Sequence, residues 1–225
     1  MSLNKIELQN YTGTQLKNFL PDKYIFQGSD IEKAINLALE RTEFCLQNIA
    51  IPGYVVNGSV DFSHLHSDKY STYLYFLANS LWDISNNKPI CDKLILLNKI
   101  LNGIWVTYKC KLPDVFLLSH PLGSILGNAV YSNFLCVFQN VTVNTGMKIG
   151  EYNPPVLGKG VVLATGAAII GNSVIGDKVT ISDTMIYKKN IPSNSSVFRD
   201  DEGKLIIKKR KEENYYGQQF FFEKI

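Results

Sequence analysis

From Leu157 onward an aliphatic residue returns at every sixth position: Leu157, Leu163, Ile169, Ile175 and Ile181, usually followed by a small residue such as Gly158, Ala164, Gly176 or Ser182. A period of six matches neither a helix near 3.6 nor a strand near 2. It matches a chain wound as a three-sided coil, each hexad giving one flat side and one tight corner. The aliphatic side chain fills the interior and the small residue lets the chain turn. An upstream series, Ile125, Tyr131, Val137 and Val143, continues the same phase. Between Val143 and Leu157 the phase breaks, so the segment Asn144 to Pro155 is expected to loop out from the coil. After Tyr187 the repeat is expected to stop at Lys188-Lys189-Asn190-Ile191-Pro192.

The first half of the chain carries a different rhythm. Ile31, Ala34, Ile35, Ala38, Leu39, Thr42 and Leu46 follow helical spacing behind Ser29-Asp30, and Pro52-Gly53 stops them. A second helix is predicted over 67–82 and a third over 89–101, ended by Asn102-Gly103. The stripe of Tyr70, Tyr73, Leu74, Leu77 and Leu81 reads as helical core. Residues before about 30 show no clean period and are expected to form an arm or short strands. Trp105 to Leu118 alternates and reads as a strand entering the coil near Val115. The fold class is therefore α+β: a helical domain over 1–104, a coil of hexapeptide repeats over 105–200, and a tail over 201–225 packing on the outside.

Composition narrows the picture. With 225 residues and 45% hydrophobic content the chain has enough apolar mass for a folded globular protein. A formal charge of only +3, with dispersed Lys and Arg, argues against nucleic acid as partner. Cys45, Cys91, Cys110 and Cys136 form no Cys-x-x-Cys pair and sit among apolar neighbours, which reads as reduced core thiols in a cytoplasmic protein. No stretch of about 18 apolar residues suggests a membrane span, and the opening residues do not read as a leader. His64 and His66 form a lone His-x-His without other ligands at metal spacing, so no metal site is expected.

The stretch from about His120 to Pro192 resembles the serine acetyltransferase-like branch of the hexapeptide-repeat acyltransferases. The resemblance is carried by Ser119-His120, Val137-Phe138-Gln139-Asn140-Val141-Thr142-Val143, Thr145-Gly146, Leu163-Ala164-Thr165-Gly166-Ala167 and Ile169-Ile170-Gly171-Asn172. It implies a left-handed β-helix, a homotrimer or dimer of trimers, and acetyl-coenzyme A as donor. It also places His120 where the family has its catalytic base, and an imidazole of pKa about 6.5 can take a proton from an acceptor at neutral pH. Thr145, Gly146, Ala164 and Thr165 fall where the pantetheine arm would run, and Lys188 and Lys189 where nucleotide phosphates would lie. Small corner residues are, however, what any tight coil requires.

The chain departs from the family at the acceptor. The carboxylate that partners the histidine would fall near Trp105, where none is offered, and the charged positions around the amino-acid substrate hold Ser119, Tyr152 and Asn153. Desolvating an ammonium and a carboxylate without charged partners is costly. The sequence reading therefore favours O-acetylation of a neutral hydroxyl, such as a sugar of a surface-polysaccharide pathway. Serine O-acetylation, N-acetylation of an amino sugar and a non-catalytic scaffold are the alternatives.

Overall fold

The computed structural model describes residues 1–144 and 154–225. Four helices come first: α1 (Lys5–Phe19), α2 (Ser29–Gln47), α3 (Ser67–Ser85) and α4 (Lys88–Asn102). A small antiparallel hairpin of β1 (Val55–Val56) and β2 (Ser59–Val60) lies between α2 and α3. The expected arm before residue 30 is instead α1. Its start is a capping box, in which the Glu7 N–H donates to Asn4 Oδ1 at 3.0 Å and the Asn4 N–H donates to Glu7 Oε2 at 2.8 Å. Only Leu8, Thr12 and Leu16 of this helix are buried, which is why its apolar period is faint.

The central helix is α3, packed between α2 and α4. Every residue from Asp68 to Leu81 is buried, and the predicted Tyr70 to Leu81 stripe lies in the core. Among the buried residues are two charged ones at its first turn, Asp68 and Lys69. α4 is capped by Asn87 with Pro89 in the first turn, and ends at Gly103 in the left-handed region (φ 68°), whose N–H bonds Lys99 O.

The rest of the described chain is a three-sided parallel coil. Its strands in chain order are β3 (Trp105–Val106), β4 (Phe116–Leu118), β5 (Ile125–Leu126), β6 (Val130–Tyr131), β7 (Leu135–Val137), β8 (Thr142–Val143), β9 (Val156–Leu157) and β10 (Val162–Leu163). They continue as β11 (Ala168–Ile170), β12 (Val174–Ile175), β13 (Thr180–Ile181), β14 (Met185–Tyr187), β15 (Ser195–Arg199) and β16 (Leu205–Lys209). Strands three apart in chain order pair through the middle of the coil and strands two apart at its ends, so the sides are β4-β7-β10-β13-β15, β3-β5-β8-β11-β14 and β6-β9-β12. This is the expected helical domain followed by a left-handed β-helix.

Leu157, Leu163, Ile169, Ile175 and Ile181 fill the interior, as do Tyr131, Val137 and Val143. The upstream end of the series is shifted by one: Ile125 is 37% exposed, and Leu126 takes the interior place beneath Val143. The first corner is therefore one residue shorter than the hexad. The far end also differs from expectation. The coil does not stop after Tyr187; Ile186, Ile191 and Val197 remain buried, and Ile191 bridges Ile175. These steps of five and six residues hide the continuation from a strict six-residue count. Trp105 to Leu118 is two short strands on different sides rather than one.

The tail turns back antiparallel as β16 on β15 and then returns to the helical domain. The Ala50 N–H donates to Phe220 O at 2.9 Å and the Phe222 N–H to Asn48 O at 3.1 Å. Phe221 is buried, with its ring edge-on to Phe134 at 5.3 Å.

Candidate active site

Each side of the coil ends in a corner, and equivalent corners stack. The Ser119 N–H donates to Val137 O at 2.8 Å, the Phe138 N–H to Leu163 O at 3.0 Å, and the Ala164 N–H to Ile181 O at 2.8 Å. Ser119-His120, Phe138-Gln139 and Ala164-Thr165 therefore form one column along a single edge. Two strand spacings put Ala164 and Thr165 roughly 10 Å along that edge from His120. The corners carry small or polar residues except at Phe138, whose half-buried ring lies 5.9 Å from that of Phe220.

Lys188 and Lys189 are exposed but belong to a different edge. The Lys188 N–H donates to Ile170 O at 3.2 Å and the Lys189 N–H to Ser173 Oγ at 3.0 Å. Within one chain these lysines stand on a different edge from the His120 column. They share their edge with Asn144, whose N–H donates to Ile169 O at 2.8 Å. Thr145, Gly146, Tyr152 and Asn153 lie outside the described residues.

His120 sits at the first corner of the column with φ 48°, a left-handed conformation uncommon for a non-glycine residue and one that persists only where surroundings enforce it. The following Pro121 is buried and pins the corner. The imidazole itself is 75% exposed, and its Nδ1 lies 3.7 Å from Asp68 Oδ2. Asp68 projects from the first turn of α3 and its side chain is 5% exposed. Its other oxygen, Oδ1, accepts from the Ser67 hydroxyl at 3.1 Å. The imidazole thus has a carboxylate beside it, supplied by the helical domain rather than by the coil.

The sequence reading missed Asp68 because it looked for the partner in the coil, near Trp105. A helix whose whole length is apolar core yet opens on Ser67-Asp68-Lys69 was the available signal.

Other groups gather at the same helix start. His66 precedes α3, its ring 5.7 Å from that of Tyr54. Burial holds its imidazole below the ordinary pKa, opposed by the Asp68 charge. Tyr54 is held protonated by burial and by the same carboxylate. Lys69 points away from His120, donating to Gly53 O at 2.6 Å and to Asp61 O, so it ties the β1–β2 hairpin to α3. His64 is engaged elsewhere: its Nδ1 is 2.9 Å from the Ser2 hydroxyl and its ring is edge-on to Tyr11. Among the described residues no group of three or more His, Cys, Asp or Glu could hold a metal ion.

The chain is a helical domain feeding a three-sided coil of hexapeptide repeats, with a histidine raised on the first corner, and in this it is similar to serine acetyltransferases. The comparisons agree. The chain is 27% identical over 119 residues to the serine acetyltransferase of Synechococcus elongatus, covering 52% of this chain and 48% of that protein. It is 34% identical over 120 residues to the serine acetyltransferase of Buchnera aphidicola (Schizaphis graminum), covering 52% and 46%, and 23% identical over 173 residues to a putative one of Schizosaccharomyces pombe, covering 76% and 62%. The chain thus spans about half to three-fifths of the length of these relatives.

Among solved structures, Vibrio cholerae serine acetyltransferase superposes with a TM-score of 0.67 at 16% identity, covering 92% of this chain and 80% of that one. The Neisseria gonorrhoeae enzyme in complex with serine gives 0.66 at 19% identity, covering 92% and 84%. No family model matches the chain. These relatives are named serine acetyltransferases, which backs the serine alternative of the sequence reading better than the sugar acceptor expected from the uncharged positions.

Proposed function

We propose that the chain is an acetyl-coenzyme A-dependent O-acetyltransferase whose acceptor is free serine. The observation that carries this is His120: an exposed imidazole on the outward edge of the coil, held at an enforced corner beside a buried carboxylate. The relatives' names support the acceptor. The argument against an amino acid rested on the lack of charge around the histidine. Asp68 answers the half of that argument that concerns the ammonium group, since its charge favours an acceptor carrying one.

In the proposed reaction the imidazole takes the proton of the serine hydroxyl as its oxygen attacks the thioester carbonyl. The tetrahedral intermediate collapses, the C–S bond breaks, and the proton passes from the imidazolium to the leaving thiolate. No covalent acyl-enzyme is needed. The pantetheine arm would lie along the column past Phe138, Ala164 and Thr165. Lys188 and Lys189 would reach the nucleotide phosphates from the other edge, which in a homotrimer faces a neighbouring coil.

A trimeric assembly has physical support on the coil's third side. Val130, Val156 and Val174 stand in register on its outer face and are exposed. Such an apolar ladder suits burial against a second copy.

The test is thiol release from acetyl-coenzyme A with serine, against a panel of sugars, with the product identified as O-acetylserine by mass spectrometry. His120→Ala is expected to lower turnover by about two orders of magnitude or more. Undiminished turnover would remove the base, and turnover with a sugar but not serine would overturn the acceptor.

A further inference from the structure

Asp68 is the one group near the candidate base whose burial is hard to explain as structure alone. An ionised carboxylate removed from water is costly unless paired. Its side chain is 5% exposed, and its direct polar contacts are the Ser67 hydroxyl on Oδ1 and the His120 ring at 3.7 Å from Oδ2. The Ser67 bond turns the carboxylate so that Oδ2 faces the histidine. The 3.7 Å separation is an ion-pair distance that a small rotation of the exposed ring closes into a hydrogen bond. The charged and titratable groups around it are His66 and Lys69 on either side in the chain and Tyr54 from the segment before the hairpin. Lys69 is committed to Gly53 and Asp61, so it leaves the Asp68 charge to the histidines.

We propose that Asp68 is the positioning residue for His120, a helix-borne carboxylate that accepts from the Nδ1–H and so leaves Nε2 as the lone-pair base. This rests on the reading of His120 as the base and adds what orients it. The two halves of the pair lie on different elements, 52 residues apart, so the base is set only where α3 docks on the first coil corner. A carboxylate on one ring nitrogen fixes the tautomer and stabilises the imidazolium formed as the hydroxyl proton arrives. The proton moves from the acceptor oxygen to Nε2 and later to the thiolate; Asp68 stays ionised throughout.

The chain has three histidines, so the His120 ring nitrogens can be assigned by long-range proton–nitrogen spectra of the unmodified protein against His120→Gln. The expected result is a neutral ring protonated on Nδ1. Asp68→Asn keeps the size and the Ser67 bond and removes the anion beside the ring, so the acidic limb of the kcat/KM profile should move to lower pH. Turnover should drop at least tenfold while the KM for acetyl-coenzyme A changes little. Ser67→Ala, which only loosens the carboxylate, should give a smaller loss of the same kind. An Nε2-protonated ring in the unmodified protein, or an Asp68→Asn protein with an unshifted pH profile and full turnover, would overturn the proposal while leaving the base intact. A fully active His120→Ala would instead remove the underlying reading.

Discussion

Gly158→Ala tests the coil where its geometry is tightest. Gly158 does not occupy a left-handed conformation, so its lack of a side chain is a matter of space alone. A Cβ there would stand 2.8 Å from the Asp177 backbone nitrogen and 2.8 Å from the Gly176 carbonyl carbon, and closer still to Asp177 Oδ1. Two of these atoms are backbone of the next turn, which is fixed at one strand spacing by the bond from the Gly158 N–H to Ile175 O. The turns must splay, and overpacking of this kind costs about 1–3 kcal/mol. For a chain of this size that is a fall in Tm of roughly 3–10 °C.

Gly166→Ala is the control. A Cβ there meets only Asp183 Cβ and Cα, at 3.7 and 3.8 Å, but the position has φ +76°, so its cost is the left-handed penalty of about 1 kcal/mol. Thermal denaturation followed by circular dichroism reads both. A Gly158→Ala protein as stable as the unmodified one would refute the stacking of that corner.

Two further outcomes follow from the same coordinates. Val156→Glu puts a charge in the middle of the exposed valine ladder; analytical ultracentrifugation should show the unmodified protein as the proposed trimer and the variant as a smaller species with unchanged circular dichroism, and a trimeric variant would contradict the ladder as interface. Burial pushes the Cys45, Cys91 and Cys110 thiols up to about 12, and Cys136 in the same direction. Above the unfolded thiol value of about 8.5 the unfolded chain loses protons that the folded chain keeps, so stability should be full below that pH and fall progressively toward 12. Urea denaturation at pH 7, 9 and 10.5 measures this, and a flat profile would contradict the burial. The folded protein should likewise leave a thiol reagent unconsumed until denatured.

The coil was legible because one aliphatic side chain per side is a strong, regular demand. It became illegible where the corners shorten: Leu126 lies one place from the phase, and Ile186 and Ile191 follow steps of five. α1 escaped notice because only three of its residues are buried, leaving the Asn4 and Glu7 box as its chief mark. His120 was found through a local motif. Asp68 was not, because its role depends on where the start of α3 meets the coil, a contact between segments far apart in sequence. Lys188 and Lys189 follow the last predicted hexad in sequence, and a corner's place in the repeat decides which edge it occupies, so their edge could be read only from the fold.

The most direct measurement is a crystal structure of the protein with coenzyme A. The account predicts the thiol sulfur in contact with the His120 ring and the pantetheine arm running along the edge past Phe138 toward Ala164 and Thr165. A coenzyme bound on another edge, with its sulfur remote from His120, would contradict it.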